Sequence, residues 1–562
     1  MSFLTKLKQA KNISDVAHIL GCSPAALTYT IYKSKVKYNT FKIKKKSGED
    51  RCITAPERKL KELQKRLAKG LQECVDQISK DRETETSAHG FVKGKSILTN
   101  AYKHKNKNLV LNIDLENFFD TINFGRVRGY FIYNKNFALT EKVASVIAQI
   151  ACNENKLPQG SPCSPIISNL IGQILDVKLS SLAKRNKCFY TRYVDDITFS
   201  TNQKTFPESI ASINDIQIII GKKLRNEIDR AGFKVNDSKT RIQLSNSRQD
   251  VTGLVVNQKV SVKSEVKHLV RAMADSFFKI NTAFISIDGK KENVSLERLN
   301  GMLSFIYNIR AGVNGTRGCK HISQHDSFER MYASFLFYKN FAANKSTIII
   351  CEGETDNIYL KYAFQSLVDS YPELQLIRKG AKKRLDLSIY KQTRTLGKLL
   401  DITDGTGNNI KFIKTYRQSM RRYTSPPKVF PVIVLLDNDS GSSSIDGIIN
   451  RDFSDFREVC DGFTYVCENL YIVKTPLIGD KKESKIEDFF DSKTLSKTLG
   501  SKTFTAENKF DKEQHYGKRK FAEIIVKQNH KEIDFSNFKK IIDLFNDVIL
   551  HYQKKVNQNF NL

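Results

Sequence analysis

The 562-residue chain carries 92 Lys and Arg against 60 Asp and Glu, a net charge of +32. That length exceeds one ordinary domain, and that charge calls for a polyanionic partner. The sequence shows no apolar run of about 18 residues, no lipidation signal and no signal-peptide core, which argues against a membrane. Its ten scattered cysteines, with no CxxC pair, fit reduced thiols in a cytoplasm rather than disulfides or zinc.

The basic excess is uneven. Residues 1–340 hold 56 basic and 31 acidic side chains, net +25, while residues 341–562 hold 36 and 29, net +7. In chain order, residues 1–40 read as amphipathic helices. A helix-turn-helix flavour in "HILGCSPAALTYTIYK" is better explained by packing. "FKIKKKSGEDRCITAP", residues 41–56, reads as a basic hairpin. Its Arg51 suits bidentate phosphate contact, whereas Lys44, Lys45 and Lys46 could individually be a solvated turn. Asn100 to His104 spell "NAYKH". Leu109 to Ile113 form an apolar strand with Asp114 at its end. "LPQGSPCSPIISNL", residues 157–170, is a Pro/Gly/Ser loop running into an apolar helix, with Cys163 a small buried residue rather than a nucleophile. Strands at 188–194 and 197–199 put Asp195 and Asp196 at a hairpin tip. Two adjacent carboxylates repel each other there, and a divalent cation removes that cost. "GFKVNDSKTRI" and Val251-Thr252-Gly253 follow, and then helical periodicity from about 262 to 340.

An acid after one strand, a Gly-rich loop opening a helix and an acid pair on a hairpin resemble motifs A, B and C of reverse transcriptases. "NAYKH" and "VTG" resemble the short patterns of the retron branch of that family. The resemblance covers residues 1 to about 340 and implies a right-hand polymerase with fingers, palm and thumb. It implies two Mg²⁺ ions held by Asp114, Asp195, Asp196 and the Leu115 carbonyl, clamping the attacking and leaving oxygens of an in-line displacement. Arg51, Phe119, Gln159 and Gly160 would contact the incoming nucleotide, with Phe119 placed to exclude a 2′-OH and so select dNTPs. Lys239 would protonate the departing pyrophosphate. Asn100, His104, Val251, Thr252 and Gly253 would serve recognition of a cognate RNA. The helices at 262–340 would be a basic-faced thumb for a duplex or folded RNA.

After residue 345 the pattern restarts as α/β. "KSTIIICEGETDNIYLKYAF" is a strand, an acidic turn and a helix, and "VFPVIVLLDNDSG" is a strand ending at Asp437 and Asp439. In an open parallel sheet, functional residues gather at the carboxyl ends of strands. An "EG" turn followed by "DxD" resembles the TOPRIM domain, and "KIEDFF", residues 485–490, resembles the OLD-type nuclease branch. The resemblance implies one or two Mg²⁺ ions, with Glu352 as acid/base or ligand and Asp356, Asp437, Asp439 and Glu487 as ligands. Asp488 is a further candidate ligand, and Lys518 and Lys520 are candidates for the scissile phosphate. Glu354 reads as a solvated turn.

The expected fold is therefore α/β and multidomain. It has an N-terminal helical region (1–40), fingers and palm (41–260), a thumb (261–342), a TOPRIM Rossmann-like domain (343–535) and a C-terminal helix (536–562). The resemblance implies a bacterial cytoplasmic enzyme that copies a cognate noncoding RNA into branched msDNA, primed from a 2′-OH. The TOPRIM nuclease would then act in antiphage defence. The implied partners are that RNA and its msDNA, dNTPs, a nucleic-acid target of the nuclease and possible further copies of the chain, with no membrane. Two alternatives stand: a TOPRIM-like module that binds without cutting, and a group II intron-type enzyme, which would carry a Cys/His zinc tail absent from this sequence.

Overall fold

The computed structural model describes residues 1–562 except 35–36, 45–47, 49, 81–85, 215–216, 288, 314–323, 377–382, 392, 401, 403–405, 425, 508 and 561–562. Two units part at residue 264: Met1–Ser264 and Glu265–Leu562.

The first unit is built on a four-stranded antiparallel sheet. In spatial order its strands are Phe189–Tyr193, Asp196–Thr201, Leu109–Leu115 and Val235–Leu244. The Leu109–Leu115 strand lies at the interior of this sheet, and five of its seven residues are buried. A strand covered on both faces reads as a near-continuous apolar run, as "LVLNIDL" does. Helix Ser164–Arg185 lies against the sheet. By length and composition this helix is apolar enough to cross a membrane, but 61% of its most apolar stretch is buried inside the protein. It packs as a core helix, with Ile167, Leu175 and Leu179 fully buried.

The basic hairpin forms as expected, Tyr38–Lys44 pairing antiparallel with Asp50–Pro56. It leads into helix Arg58–Lys80, whose Leu60, Leu63, Leu67, Leu71 and Cys74 recur at helical spacing and are buried. Each fully buried leucine there contributes roughly 2 kcal/mol of transfer free energy. The N-terminal helices pack on this helix, and Arg66 donates to the Leu20 and Gly21 carbonyls. The stretch that resembled a helix-turn-helix therefore has a packing role.

The second unit holds a six-stranded sheet in the order Leu387–Ile389, Thr347–Cys351, Val432–Leu436, Leu470–Lys474, Phe463–Cys467 and Glu458–Val459. The first four run parallel and the last two antiparallel. Helix Lys539–Phe560 buries Ile541, Phe545, Val548 and Tyr552 in the same core. The helices expected as a thumb share an aromatic cluster with this α/β part. Tyr423 sits 5.2 Å from Phe278 and 5.0 Å from Tyr338, and Phe341 sits 5.0 Å from Phe412. The two compact units thus part at residue 264, close to the expected start of these helices at 261. An amphipathic helix announces its buried face but not which neighbour will cover it.

Candidate active sites

In the first unit, strand register sets the acids. Asp114 lies directly across from Asp196, and Tyr193 pairs with Asp196 to close the hairpin. That leaves Val194 and Asp195 as a two-residue turn. Val194 has φ +62, a left-handed conformation that a β-branched residue rarely adopts. The Leu115 N–H donates to the Asp195 carbonyl at 3.1 Å, tying the turn to the neighbouring strand.

The electrostatics are those of crowded, partly buried carboxylates. Burial and then the carboxylates of Asp195 and Asp114 push Asp196 up to about 6. Asp195 is raised as well, by burial first and then by Asp114. Lys239 donates to Asp114 at 3.1 Å, and Asn236 donates to the same oxygen at 3.2 Å. This hydrogen bond raises the lysine's own pKa. Three crowded carboxylates present hard oxygen donors, the set that Mg²⁺ takes while keeping several waters. The residues therefore fit divalent cations. When bound, such ions would polarise the reacting phosphate, with Asp114, Asp195 and Asp196 holding them.

Asp114 and Asp196 line a cleft of about 490 Å³ together with Lys239, Arg241, Thr252 and Gly253. The "VTG" turn thus borders the acids. Val251 pairs with Leu254, and Thr252 (φ +46) and Gly253 (φ +81) form the connecting turn. Positive φ at both central residues is the signature of a tight hairpin, which glycine supplies without strain.

Asn100 and His104 are placed differently from the expectation of RNA contact. Both are buried. His104 bridges Ser200 and Thr191 at 2.7 Å each, on the two strands that carry the acid pair, and Asn100 donates to Thr252 at 3.4 Å. The pair therefore braces the palm hairpin and the "VTG" turn from inside, because no nucleic acid reaches a fully buried side chain.

Gly160 has φ +125, and a Cβ there would sit 2.9 Å from the Thr54 carbonyl. The Thr54 N–H donates to the Gln159 carbonyl at 2.7 Å. The loop at 157–160 is thus pinned to the fingers hairpin, and glycine is needed for that approach. Arg51 is exposed on the same hairpin, near enough for its charge to lower Asp195, and Lys44 is exposed beside it. Lys45 and Lys46 lie outside the described residues. Phe119 is half-buried, with its ring edge-on to Phe118 at 5.5 Å. Cys163 is buried with its thiol pushed up to about 12 by burial, which suits packing rather than chemistry.

Sequence reasoning missed the support beneath the acid pair. Arg192 is fully buried and pairs with Asp176, its Nε and Nη2 each 2.8 Å from a carboxylate oxygen. The Tyr190 hydroxyl donates to the same Asp176 at 2.7 Å. The only sequence signal was an arginine and a tyrosine in a run otherwise fit for a buried strand.

In the second unit, Glu352 and Asp437 follow the adjacent parallel strands Thr347–Cys351 and Val432–Leu436. The Asp437 N–H points to Glu352 Oε2 at 3.4 Å, and the Ile486 N–H donates to Asp437 Oδ1 at 2.9 Å. Asp356 accepts from the Gly353 N–H at 2.9 Å. Glu487 is buried, its Oε2 accepting from Lys518 at 2.9 Å and its Oε1 without a hydrogen-bond partner. Burial, then Glu487 and Asp437, raise Asp356 to about 7. Burial and then Glu487 raise Asp437 to about 7. An orphaned buried carboxylate oxygen among hard donors fits a divalent cation, held by Asp356, Asp437, Glu487 and Glu352.

Other candidates stand apart from that cluster. One oxygen of Asp439 accepts from the Gly441 and Ser442 N–H groups, capping the turn that follows. Asp488 caps Lys485 and pairs with Lys481. Lys520 and Glu354 are exposed. Lys518 is the lysine that joins the acids. Elsewhere among the described residues, Glu458, Cys460 and His551 each offer a ligand atom within 4.8 Å of the others, but Lys555 already holds Glu458 at 2.6 Å.

An antiparallel sheet with paired acids, a basic hairpin and a glycine-pinned loop is the arrangement expected of a reverse-transcriptase palm and fingers. The family model described as reverse transcriptase (RNA-dependent DNA polymerase) matches residues 43–282. Retron Ec86 reverse transcriptase of Escherichia coli is 33% identical over 301 residues, covering 53% of this chain and 84% of that one. Retron Mx162 reverse transcriptase of Myxococcus xanthus is 32% identical over 331 residues, covering 54% of this chain and 64% of that one. The chain belongs to the retron reverse transcriptase family. A telomerase from Candida albicans, solved with a fragment of telomeric RNA, overlays 61% of this chain and 66% of its own at 13% identity. Its TM-score of 0.30 is too low to bear on function.

Proposed function

We propose that the chain is an RNA-directed DNA polymerase that copies a cognate structured noncoding RNA into branched, 2′-5′ primed msDNA. The observation that carries this reading is the register pairing of Asp114 with Asp196 beside the Asp195 turn, in a cleft that also holds Lys239 and Arg241. Two Mg²⁺ ions on these carboxylates would supply the charge for in-line attack on a dNTP. Arg51, Gln159 and Gly160 would face the triphosphate and template, and Phe119 would exclude a 2′-OH. Lys239 would serve as proton donor to pyrophosphate once a metal relieves it of Asp114. The "VTG" turn, on the cleft wall, would meet the RNA. Asn100 and His104 would act through that turn.

For the second unit we propose a TOPRIM-type, OLD-like phosphodiesterase that takes one or two Mg²⁺ and acts as an antiphage effector in a bacterial cytoplasm. The support is the convergence of Glu352 and Asp437, at parallel strand ends, with Asp356 from a helix and Glu487 from a short turn, and Lys518 beside them to meet a phosphate. Asp439 would take part by turning away from its cap. The msDNA would restrain or position this effector, in a complex that could hold more than one copy of the chain. Expression with the neighbouring noncoding locus tests the polymerase half. Branched DNA should accumulate with the wild type and vanish with Asp195→Asn/Asp196→Asn, and its persistence in that variant would sink the polymerase reading.

A further inference from the structure

We propose that Arg192 is a positioning residue for the catalytic turn, its guanidinium holding the Val194 carbonyl and so fixing where Asp195 and Asp196 present their carboxylates. This rests on the polymerase reading of the palm.

The turn needs to be held. Val194 at φ +62 is a β-branched residue in a region it disfavours, and such strain persists only where the surroundings over-determine it. Two features do so. Gly90 lies directly beneath, where a Cβ would come within 2.8 Å of the Val194 nitrogen and 2.6 Å of its Cγ2. Arg192 Nη1 donates to the Val194 carbonyl at 2.9 Å.

Arg192 is in turn held from every side. Asp176 grips it bidentately at 2.8 Å, and Asn169 Oδ1 accepts from Nη2 at 3.4 Å. Asn169 also donates to the Gly90 carbonyl at 2.8 Å, so one side chain links the two supports of the turn. Gly172 leaves the notch that the guanidinium fills, since a Cβ there would sit 2.6 Å from Nη2. Backbone bonds from Arg192 to Ser87 and from His89 to Arg192 fix its strand from the other edge.

Stability alone is a weak reason for such a pair. A buried ion pair often contributes no more than apolar residues of the same volume. What the pair adds is direction. Three guanidinium nitrogens are committed, two to Asp176 and one to the catalytic turn. A lysine could keep the charge but not that fork. Because Asp176 neutralises the charge, the residue works on the acids through geometry.

The test uses the full chain in primer extension on an RNA template, with a Mg²⁺ titration and a melting curve for each variant. Arg192→Lys should lower kcat at least tenfold, leave the dNTP KM within about twofold and raise the Mg²⁺ needed for half-maximal rate. Val194→Gly, which adopts φ +62 without Cβ strain, should restore part of the lost kcat in the Arg192→Lys background. If Arg192→Lys does not fold, Gly172→Ala displaces the guanidinium with the Asp176 pair present and should give the same split. Wild-type rate and Mg²⁺ requirement in these variants would overturn the proposal. So would a rate loss that follows the melting temperature and is not relieved by Val194→Gly. A wild-type chain that extends nothing would sink the polymerase reading itself.

Discussion

The two acid clusters meet the same electrostatic problem on opposite kinds of sheet. In the palm, antiparallel register sets Asp114 against Asp196, and a strained turn adds Asp195. The cleft is open, and its nearest cation, Lys239, is 61% exposed. In the α/β unit Glu352 and Asp437 follow parallel strands and meet Asp356 from a helix and Glu487 from a short turn; the latter two are buried, and Lys518 is only 27% exposed. The palm site should therefore depend on backbone geometry, and its fold, though not its chemistry, should tolerate lost charge. The α/β site should be sensitive to charge balance.

The largest effect should come from Asp195→Asn with Asp196→Asn. Extension should fall by orders of magnitude, while the melting temperature holds or rises because crowded like charges are removed. Wild-type extension, or a clear loss of stability, would break the contrast.

Lys518→Met tests the other side. It strips Glu487 of its partner and leaves a buried carboxylate uncompensated. Fully buried pairs cost 3–5 kcal/mol when broken, and partial exposure of the lysine reduces this to about 2 kcal/mol. The α/β transition in calorimetry should drop, and added Mg²⁺ should recover part of the loss. An unchanged transition would mean that the cluster does not depend on its internal cation.

Phe119→Val should weaken discrimination against ribonucleotides by about tenfold or more, roughly 1.4 kcal/mol. Competition between rNTP and dNTP incorporation measures it, and unchanged selectivity would return Phe119 to ordinary packing.

A further effect concerns pH. Burial first, then His89 and Lys107, lower His104 to about 3, so the folded ring stays neutral while an unfolded ring takes a proton below about 6.5. Its contribution to stability is complete above 6.5 and is lost progressively as pH falls toward 3. His104→Gln should flatten the wild-type decline in melting temperature between pH 6.5 and 4.5. Parallel curves would show that the ring carries no such linkage.

Much of the palm was legible because its chemistry is local in sequence. An apolar strand ending at Asp114 and an acid pair between two apolar runs stand out in the sequence, and the register brings Asp114 against Asp196. What stayed hidden depends on burial. "NAYKH" was visible as a pattern, yet only the interior position of Asn100 and His104 shows that they brace rather than contact. The Arg192–Asp176 pair spans helix and strand, so neither residue points to the other in sequence. Asp439 followed the "DxD" spacing, but its carboxylate competes for the backbone of its own turn, as Asp commonly does. The helices after 264 showed their apolar faces without showing that aromatic residues beyond 400 would cover them.

Independence of the two sites is tested most directly by msDNA yield beside plaque counts in cells carrying the noncoding locus. Glu352→Ala, or Asp437→Ala with Asp439→Ala, should leave msDNA at wild-type level and abolish protection, whereas Asp195→Asn should abolish both. Full protection from the Glu352 and Asp437/Asp439 variants would contradict a cutting role for the α/β unit and leave it a binding module.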